Sequence, residues 1–228
     1  MSSVIIALSG GVDSTTLLSW FLSQDYKVTC VSFDYGSKHN KFELSCAEQI
    51  YTHFSKIYEK QLVDHINIEM NSIFRKFNSS LLKHGGSIPE GYYTDKTMNE
   101  TVVPARNIIF LSIMSGIAKS NNTPFIGIGI HQGDHAIYAD CRTEFYNAMN
   151  EAIQIGTDKS VSIKAPFVDM TKAEIIRNGL QLRTPYWLTR TCYKQQETAC
   201  GKCGACIERL EAFKANYTSD PIQYEESE

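Results

Sequence analysis

Six residues constrain the fold of this chain more than any others: Ser9-Gly10-Gly11-Val12-Asp13-Ser14, set between a β-rich run, Val4–Leu8, and an apolar helical pattern, Ser14–Ser23. A strand that turns through paired glycines into a helix is an opening unit of an open α/β sheet, where ligands bind beyond the carboxyl ends of the strands. Adjacent glycines allow a sharp turn and bring backbone N–H groups up to an anion. The helix that follows adds free N–H groups and its positive dipole end. Ser9, Ser14, Thr15 and Thr16 supply hydroxyls nearby. No Gly-Lys-Ser/Thr triplet closes the turn as in a Walker loop, and no G-x-G-x-x-G is present. The plain alternative is a helix start in which Asp13 or Ser14 is merely a cap.

The rest of the chain continues the alternation. Val28–Phe33 reads as a strand and Lys41–Tyr58 as a helix, with Phe42, Leu44, Ala47, Ile50, Tyr51 and Phe54 at mostly three- and four-residue intervals. Leu62–Ile68 predicts a strand, Ile73–Leu82 a helix, Arg106–Ala118 a strongly apolar helix and Phe125–Ile130 a strand. Cys141–Ile155 reads as a helix, Val161–Lys164 as a brief strand, and Lys172–Asn178 as a helix ended by Gly179. This order predicts an α/β fold, a doubly wound parallel sheet with helices on both faces. The expected division is an α/β nucleotide-binding domain over 1–185, a small appendage over 186–217 closed by a helix from about Ala205 to Ala215, and an acidic tail over 218–228. In that tail Asp220, Glu225, Glu226 and Glu228 lack a basic neighbour and are expected to be solvated. His84–Pro104, rich in glycine and proline, reads either as a lid or as a plain surface loop.

Charge and composition narrow the partners. Lys+Arg 22 against Asp+Glu 25 gives a net charge of −3 over 228 residues, which argues against a broad cationic surface for nucleic acid. No run approaches the about 18 uninterrupted apolar residues of a membrane span. The N-terminus lacks the basic region of a signal peptide, so a cytoplasmic protein is expected.

Of seven cysteines, four cluster: Cys192, then Cys200-Gly-Lys-Cys203-Gly-Ala-Cys206. Four thiolates give zinc a closed tetrahedral shell with no open position for catalysis. Such a site contributes folding free energy on the order of 10 kcal/mol. The rival is a redox dithiol, which usually presents a single C-x-x-C in a thioredoxin-like setting.

The Ser9–Ser14 stretch resembles the SGG-x-DS loop of the PP-loop ATP pyrophosphatases. That resemblance implies that Leu8, Ser9, Gly10, Gly11, Val12, Asp13, Ser14, Thr15, Thr16, Leu17 and Leu18 surround the ATP phosphates, with Asp13 helping to hold magnesium. Together with the cysteines, the chain is similar over nearly its whole length to the 7-cyano-7-deazaguanine synthases, the ExsB/QueC family. The matching pieces run in order: Leu8–Thr16, Phe33–Gly36, Val103–Asn107, Phe110–Ser112, Asp140–Arg142 with Glu144-Phe145, Lys172–Ile175, and Thr191–Tyr193 leading to Cys200–Cys206. The chain departs from the family at Ala105, where glycine is usual, and at Ala136–Ala139.

The resemblance implies an adenine nucleotide alpha hydrolase-like fold and a carbon–nitrogen ligase. Its expected substrates are 7-carboxy-7-deazaguanine, ammonia and ATP, and its product the nitrile of queuosine-type deazapurine biosynthesis. A zinc ion on the four cysteines, with no nucleic acid or membrane partner, completes the expectation, and family analogy suggests a homodimer. A relative that stops at the amide, or that joins the activated acid to another amine, is the alternative. A tRNA thiolase and a nucleotide-sensing zinc module are less well matched.

Asp13, Ser14 and Arg106 are the expected catalytic residues. Arg106 follows Pro104 at a helix start, where it could grip a carboxylate or a phosphate with two nitrogens, or form a surface ion pair. Asn107, Asp134, Asp140, Arg142 and Glu144 are the expected substrate contacts, although carboxylates entering a helix also complement its dipole. Lys172 could reach a phosphate or lie on a solvated helix face.

Overall fold

Val4, Ile6 and Leu8 point to one side of the first strand and Ile5 to the other, and none is more than 1% exposed. A strand buried on both faces needs a helical layer over each. The computed structural model has that arrangement, and it describes residues 1–92, 99–134 and 138–225, the side chain of Asp134 excepted. Strands β1 (Ser3–Ala7), β2 (Lys27–Asp34), β3 (Leu62–Glu69), β4 (Phe125–Gly127) and β5 (Ser162–Lys164) form a parallel sheet in the order β3-β2-β1-β4-β5.

Helices α1 (Val12–Ser23), α2 (Asn40–Ser55) and α5 (Lys172–Gln181) cover one face, through Leu17, Leu18, Phe21, Ile50, Phe54 and Ile175. Helices α3 (Arg106–Ser120) and α4 (Thr143–Gly156) cover the other, through Leu111, Met114, Ala118 and Ile153. The chain leaves β1 for β2 on one side and returns to β4 on the other. The strand order therefore reverses between β1 and β4, and a crevice opens at their carboxyl ends. The last helix, α6 (Gly204–Ala215), packs against α5.

Several expectations are corrected here. Ile73–Leu82 is not a helix: one turn, Asn71–Phe74, gives way to a loop whose Leu81 carbonyl accepts from Lys38 N–H at 2.8 Å. Its buried Phe74, Leu81 and Leu82 have a helical spacing, but they plug the core from that loop. Gly179 does not end α5, which runs on to Gln181. Its lack of a side chain serves packing, because a Cβ there would lie 1.8 Å from the Tyr186 hydroxyl oxygen. Asp220 is not solvated, being locked to the buried Arg209, so the terminal segment is no free acidic tail. Residues 93–98 of the expected lid, His135 with Ala136 and Ile137, and Glu226 and Glu228 lie outside the described residues.

Asn99–Ser120 has the length and mean hydropathy, 1.5, of a membrane span. It is broken at Pro104 and the left-handed Ala105, and α3 buries Leu111, Met114 and Ala118 in the core, so it reads as a core helix.

Candidate active site

The first intrahelical bond of α1 runs from Thr15 N–H to the Gly11 carbonyl at 3.1 Å, so the N–H groups of Val12, Asp13 and Ser14 have no acceptor within the helix. They face the crevice. The loop that presents them is held by side chains: Ser9 Oγ and Ser14 Oγ are 3.1 Å apart, and Thr15 Oγ1 donates to the Gly11 carbonyl at 2.7 Å. Gly10 has φ +81°, and a Cβ there would stand 2.6 Å from the Glu43 carbonyl oxygen and 2.8 Å from Cys46 Cβ. Only glycine fits. At the loop's entry Ser32 Oγ donates to the Leu8 carbonyl at 2.5 Å. It is bonded in turn to His65, whose other ring nitrogen lies 3.1 Å from Glu48 Oε2.

A cleft of about 220 Å³ lies over this loop. Its floor is Ser9 and Gly11–Ser14, and one wall follows β4 through Ile128–Ile130. Arg106, Asn107, Tyr138 and Cys141 close one end, while Thr191, Tyr193, Ala205 and Glu208 bring in the cysteine-bearing region. A smaller, more apolar recess opens between Leu8, Val31, Phe33 and Phe110, whose two phenyl rings stack with centroids 3.9 Å apart.

Asp13 is the electrostatic centre. Its Oδ2 lies 2.8 Å from Lys172 Nζ and 3.8 Å from His131 Nε2. Burial pushes its carboxyl pKa up, but Lys172 and His131 together outweigh that and hold it below the ordinary value. Lys172 also pairs with Glu208 at 3.5 Å. A capping box between Thr171 and Glu174 fixes the start of α5 and so sets Lys172 as its first residue. The sequence left Lys172 undecided, and the structure makes it part of the cleft.

At the other end, burial works against the charge of Arg106. Tyr35 and Asp140 outweigh it, so the guanidinium pKa is raised and the cation is permanent. Its guanidinium carbon lies 6.0 Å from the Tyr35 ring centroid. Asn107 and Asp140 meet each other: Asn107 N–H donates to Asp140 Oδ2 and Asn107 Nδ2 to the Asp140 carbonyl, both at 3.0 Å. Asp140 thus caps α3. Arg142 and Glu144 are exposed around the start of α4 and do not line the cleft, and for Asp134 only the backbone, in a short 3-10 turn, is described.

Sequence reasoning missed Arg190, Tyr193, Glu208 and the His39–Glu43 pair, at 3.3 Å, all of which line the cleft. These residues come from segments whose local patterns signal only helix or loop. Arg190 is the most informative. Its N–H donates to the Gly10 carbonyl at 2.8 Å, while its guanidinium donates to the carbonyls of Lys194, Gln196 and Glu197. It ties the phosphate loop to the cysteine region.

There the sulfurs of Cys192, Cys200, Cys203 and Cys206 lie within 4.8 Å of one another, all buried and free of disulfides. Backbone N–H groups of Lys202 and Cys203 point at Cys200 Sγ, and that of Cys200 at Cys192 Sγ, the donor pattern that thiolates require. The Cys192 thiol is held well below the ordinary range by hydrogen bonds from Cys203 and Cys206. Four sulfurs so arranged fit one tetrahedral metal ion. The incoming chain docks on the same knuckle: Glu90 bridges to Cys203, and Gly91 N–H donates to the Lys202 carbonyl at 2.8 Å.

The loop, the switch-point crevice and the sheet order together define a PP-loop nucleotide-binding α/β protein with a cysteine-knuckle addition. More narrowly, the chain belongs to the QueC family: residues 3–217 match the family model described as queuosine biosynthesis protein QueC. A 7-cyano-7-deazaguanine synthase of Caldicellulosiruptor saccharolyticus is 44% identical over 97% of this chain and 95% of its own length. One from Porphyromonas gingivalis is 43% identical over 97% and 96%. Among solved structures, a 4-thiouridine synthetase–RNA complex with bound ATP superposes with a TM-score of 0.50 at 14% identity, over 92% of this chain and 50% of that one. That likeness concerns the fold alone.

Proposed function

We propose that this chain is an ATP-dependent carbon–nitrogen ligase that converts 7-carboxy-7-deazaguanine and ammonia into 7-cyano-7-deazaguanine. The observation that carries the reading is a single cleft in which a phosphate loop faces a permanent guanidinium, in a chain whose relatives are named 7-cyano-7-deazaguanine synthase.

The parts suit the chemistry. A carboxylate is a poor acyl donor until its oxygen attacks the α-phosphorus of ATP and pyrophosphate leaves. The N–H groups of Val12–Ser14 and the hydroxyls of Ser9 and Ser14 take the departing phosphates. The recess lined by Phe33 and Phe110 receives the flat adenine. Arg106, at the far end, holds the acid's carboxylate beside the α-phosphate, and Asn107 with Asp140 fixes the helix end that carries it. Ammonia then displaces AMP to give the amide. A second activation, on the amide oxygen, lets loss of that oxygen and two N–H protons form the nitrile. Asp134 is the remaining proposed substrate contact, while Arg142 and Glu144, exposed outside the cleft, are left out.

Asp13 is the residue that would hold magnesium, which, when bound, supplies charge neutralisation on the phosphates. The four cysteines would hold zinc as structural support for the cleft wall. The same reading makes the protein a cytoplasmic enzyme of small molecules.

The test is an end-point reaction with MgATP, ammonium and the acid, read by mass spectrometry. The nitrile mass is expected from the wild type and not from Asp13→Ala. Accumulating amide would replace this reading with an amide-forming ligase, and no conversion by folded, zinc-replete protein would remove the substrate assignment.

A further inference from the structure

The corner of the cleft beside α1 is anionic and carries its own cation. Asp13 and Glu208 contribute two carboxylates, and Lys172 lies between them, with Nζ 2.8 Å from Asp13 Oδ2 and 3.5 Å from Glu208 Oε2. His131 Nε2 faces the same Asp13 oxygen at 3.8 Å. The side chains are 25% (Asp13), 31% (Glu208) and 11% (Lys172) exposed, so the pairs are less screened than open surface ion pairs. Asp13 Oδ1 is buried and has no hydrogen-bond partner among the described residues. One oxygen of this carboxylate is thus held by an ammonium while the other is left wanting a positive group.

The three charges come from separate parts of the chain. Asp13 follows the phosphate loop, Lys172 opens α5, and Glu208 stands on α6 two residues beyond Cys206. Nothing in the chemistry proposed above uses Lys172 or Glu208.

We propose that Lys172 is a resident counter-ion which the magnesium–nucleotide complex displaces from Asp13, and that Glu208, fixed by the cysteine knuckle, is a positioning residue that keeps Lys172 at the loop to pair with phosphate oxygens after the exchange. The inference rests on the ATP-dependent reading. An ammonium and a divalent cation on the same carboxylate repel each other at short range, so the divalent ion loosens the ammonium's hold on Asp13. Leaving His131 aside, the two carboxylates and one ammonium among the described side chains carry a net charge of about −1, which a magnesium ion reverses to about +1, ready for a polyphosphate. Glu208 makes the exchange small in distance, because the ammonium already has a second carboxylate beside it. Without Glu208, the Lys172 ammonium would lose the carboxylate that draws it away from Asp13 and would oppose the incoming cation more strongly.

The experiment compares wild type, Lys172→Met, Lys172→Gln and Glu208→Gln, each checked first for zinc content and melting temperature. Manganese is the probe. Its binding is read by electron paramagnetic resonance without nucleotide and again with ATP, and the deazapurine is absent from these titrations. The Lys172 variants are expected to bind manganese alone about tenfold more tightly than wild type, yet manganese–ATP about tenfold more weakly. Glu208→Gln is expected to bind manganese alone more weakly. In turnover its KM for ATP should rise about three- to tenfold while kcat stays within about twofold. The opposite movement of the two manganese affinities is what a merely structural role cannot produce. Both affinities of both Lys172 variants within about twofold of wild type, or the same sign of change in both, would overturn the proposal. So would zinc loss and lowered melting in all variants without that opposition, or a wild type that binds no manganese–ATP. A wild type that binds manganese–ATP and shows the exchange but makes no nitrile would defeat the substrate assignment and leave this inference standing.

Discussion

The Arg209 guanidinium grips the Asp220 carboxylate with two nitrogens, Nε at 2.6 Å and Nη2 at 2.8 Å, and the two side chains are 0% and 2% exposed. Arg209 stands on α6, and its remaining nitrogen donates to the hydroxyls of Thr189 and Thr191. Tyr224 donates its hydroxyl to the same carboxylate at 2.6 Å, and Glu225 N–H reaches the Ala199 carbonyl at 2.9 Å. The chain beyond α6 is therefore a strap that returns across the cysteine knuckle, with one bidentate ion pair as its buckle.

Breaking that buckle leaves a buried guanidinium without its counter-charge. Asp220→Ala is expected to lower unfolding free energy by roughly 3–5 kcal/mol, and Asp220→Asn by less because it keeps the shape and one acceptor. Denaturant midpoints measure both. A loss below about 1 kcal/mol for the alanine variant would mean that the strap does not hold the knuckle.

Ala105 has φ 54° and ψ 22°, the left-handed conformation, at the residue that precedes α3. A Cβ costs roughly 1–2 kcal/mol there, and glycine removes that cost while adding some entropy to the unfolded chain. Ala105→Gly is therefore expected to raise stability by about 0.5–1 kcal/mol, seen as a higher midpoint with an unchanged denaturant slope. A destabilised variant would show that the Ala105 methyl contributes more by contact than its backbone strain costs.

The sheet and its loop were legible in the sequence because each signal is local. Val4–Leu8, the glycine pair and Ser14–Ser23 state strand, turn and helix within twenty residues. The cysteines declared a knuckle by spacing alone. Pairings across the chain were not legible. Lys172 meets Asp13 over a separation of 159 residues, and Asp220 reads as one more acidic terminal residue until Arg209 is found beside it. Ile73–Leu82 misled for the opposite reason: apolar spacing records which residues are buried, and a loop laid over a core buries them as well as a helix does.

Asp13 gives a pH signature. Burial raises its carboxyl pKa, and Lys172 with His131 more than reverses this, so the folded value lies below the ordinary 3.8. A depressed carboxyl contributes stability that is complete above the unfolded pKa and is lost as pH falls through the folded one. In the wild type ATP affinity should then owe nothing to Asp13 titration from neutral pH down to about 4. Lys172→Met removes the largest lowering influence while burial stays, so the acid limb of ATP binding should move to higher pH. Calorimetric ATP affinity against pH checks this, and identical acid limbs in the two proteins would refute it.

The knuckle is expected to govern nucleotide affinity as well as stability, because one residue serves both. The Arg190 guanidinium is held by three carbonyls of the loop between Cys192 and Cys200, and the Arg190 N–H holds the Gly10 carbonyl. Opening the cysteine cluster frees the loop, the loop releases the guanidinium, and the phosphate turn loses a backbone donor. Cys203→Ser is expected to lose the metal, to melt well below the wild type, and, at temperatures where it is still folded, to show a KM for ATP raised about tenfold or more. Metal content, melting and KM together decide it. Metal-free protein that melts and binds ATP as the wild type does would show that the Arg190 bridge stands without the knuckle.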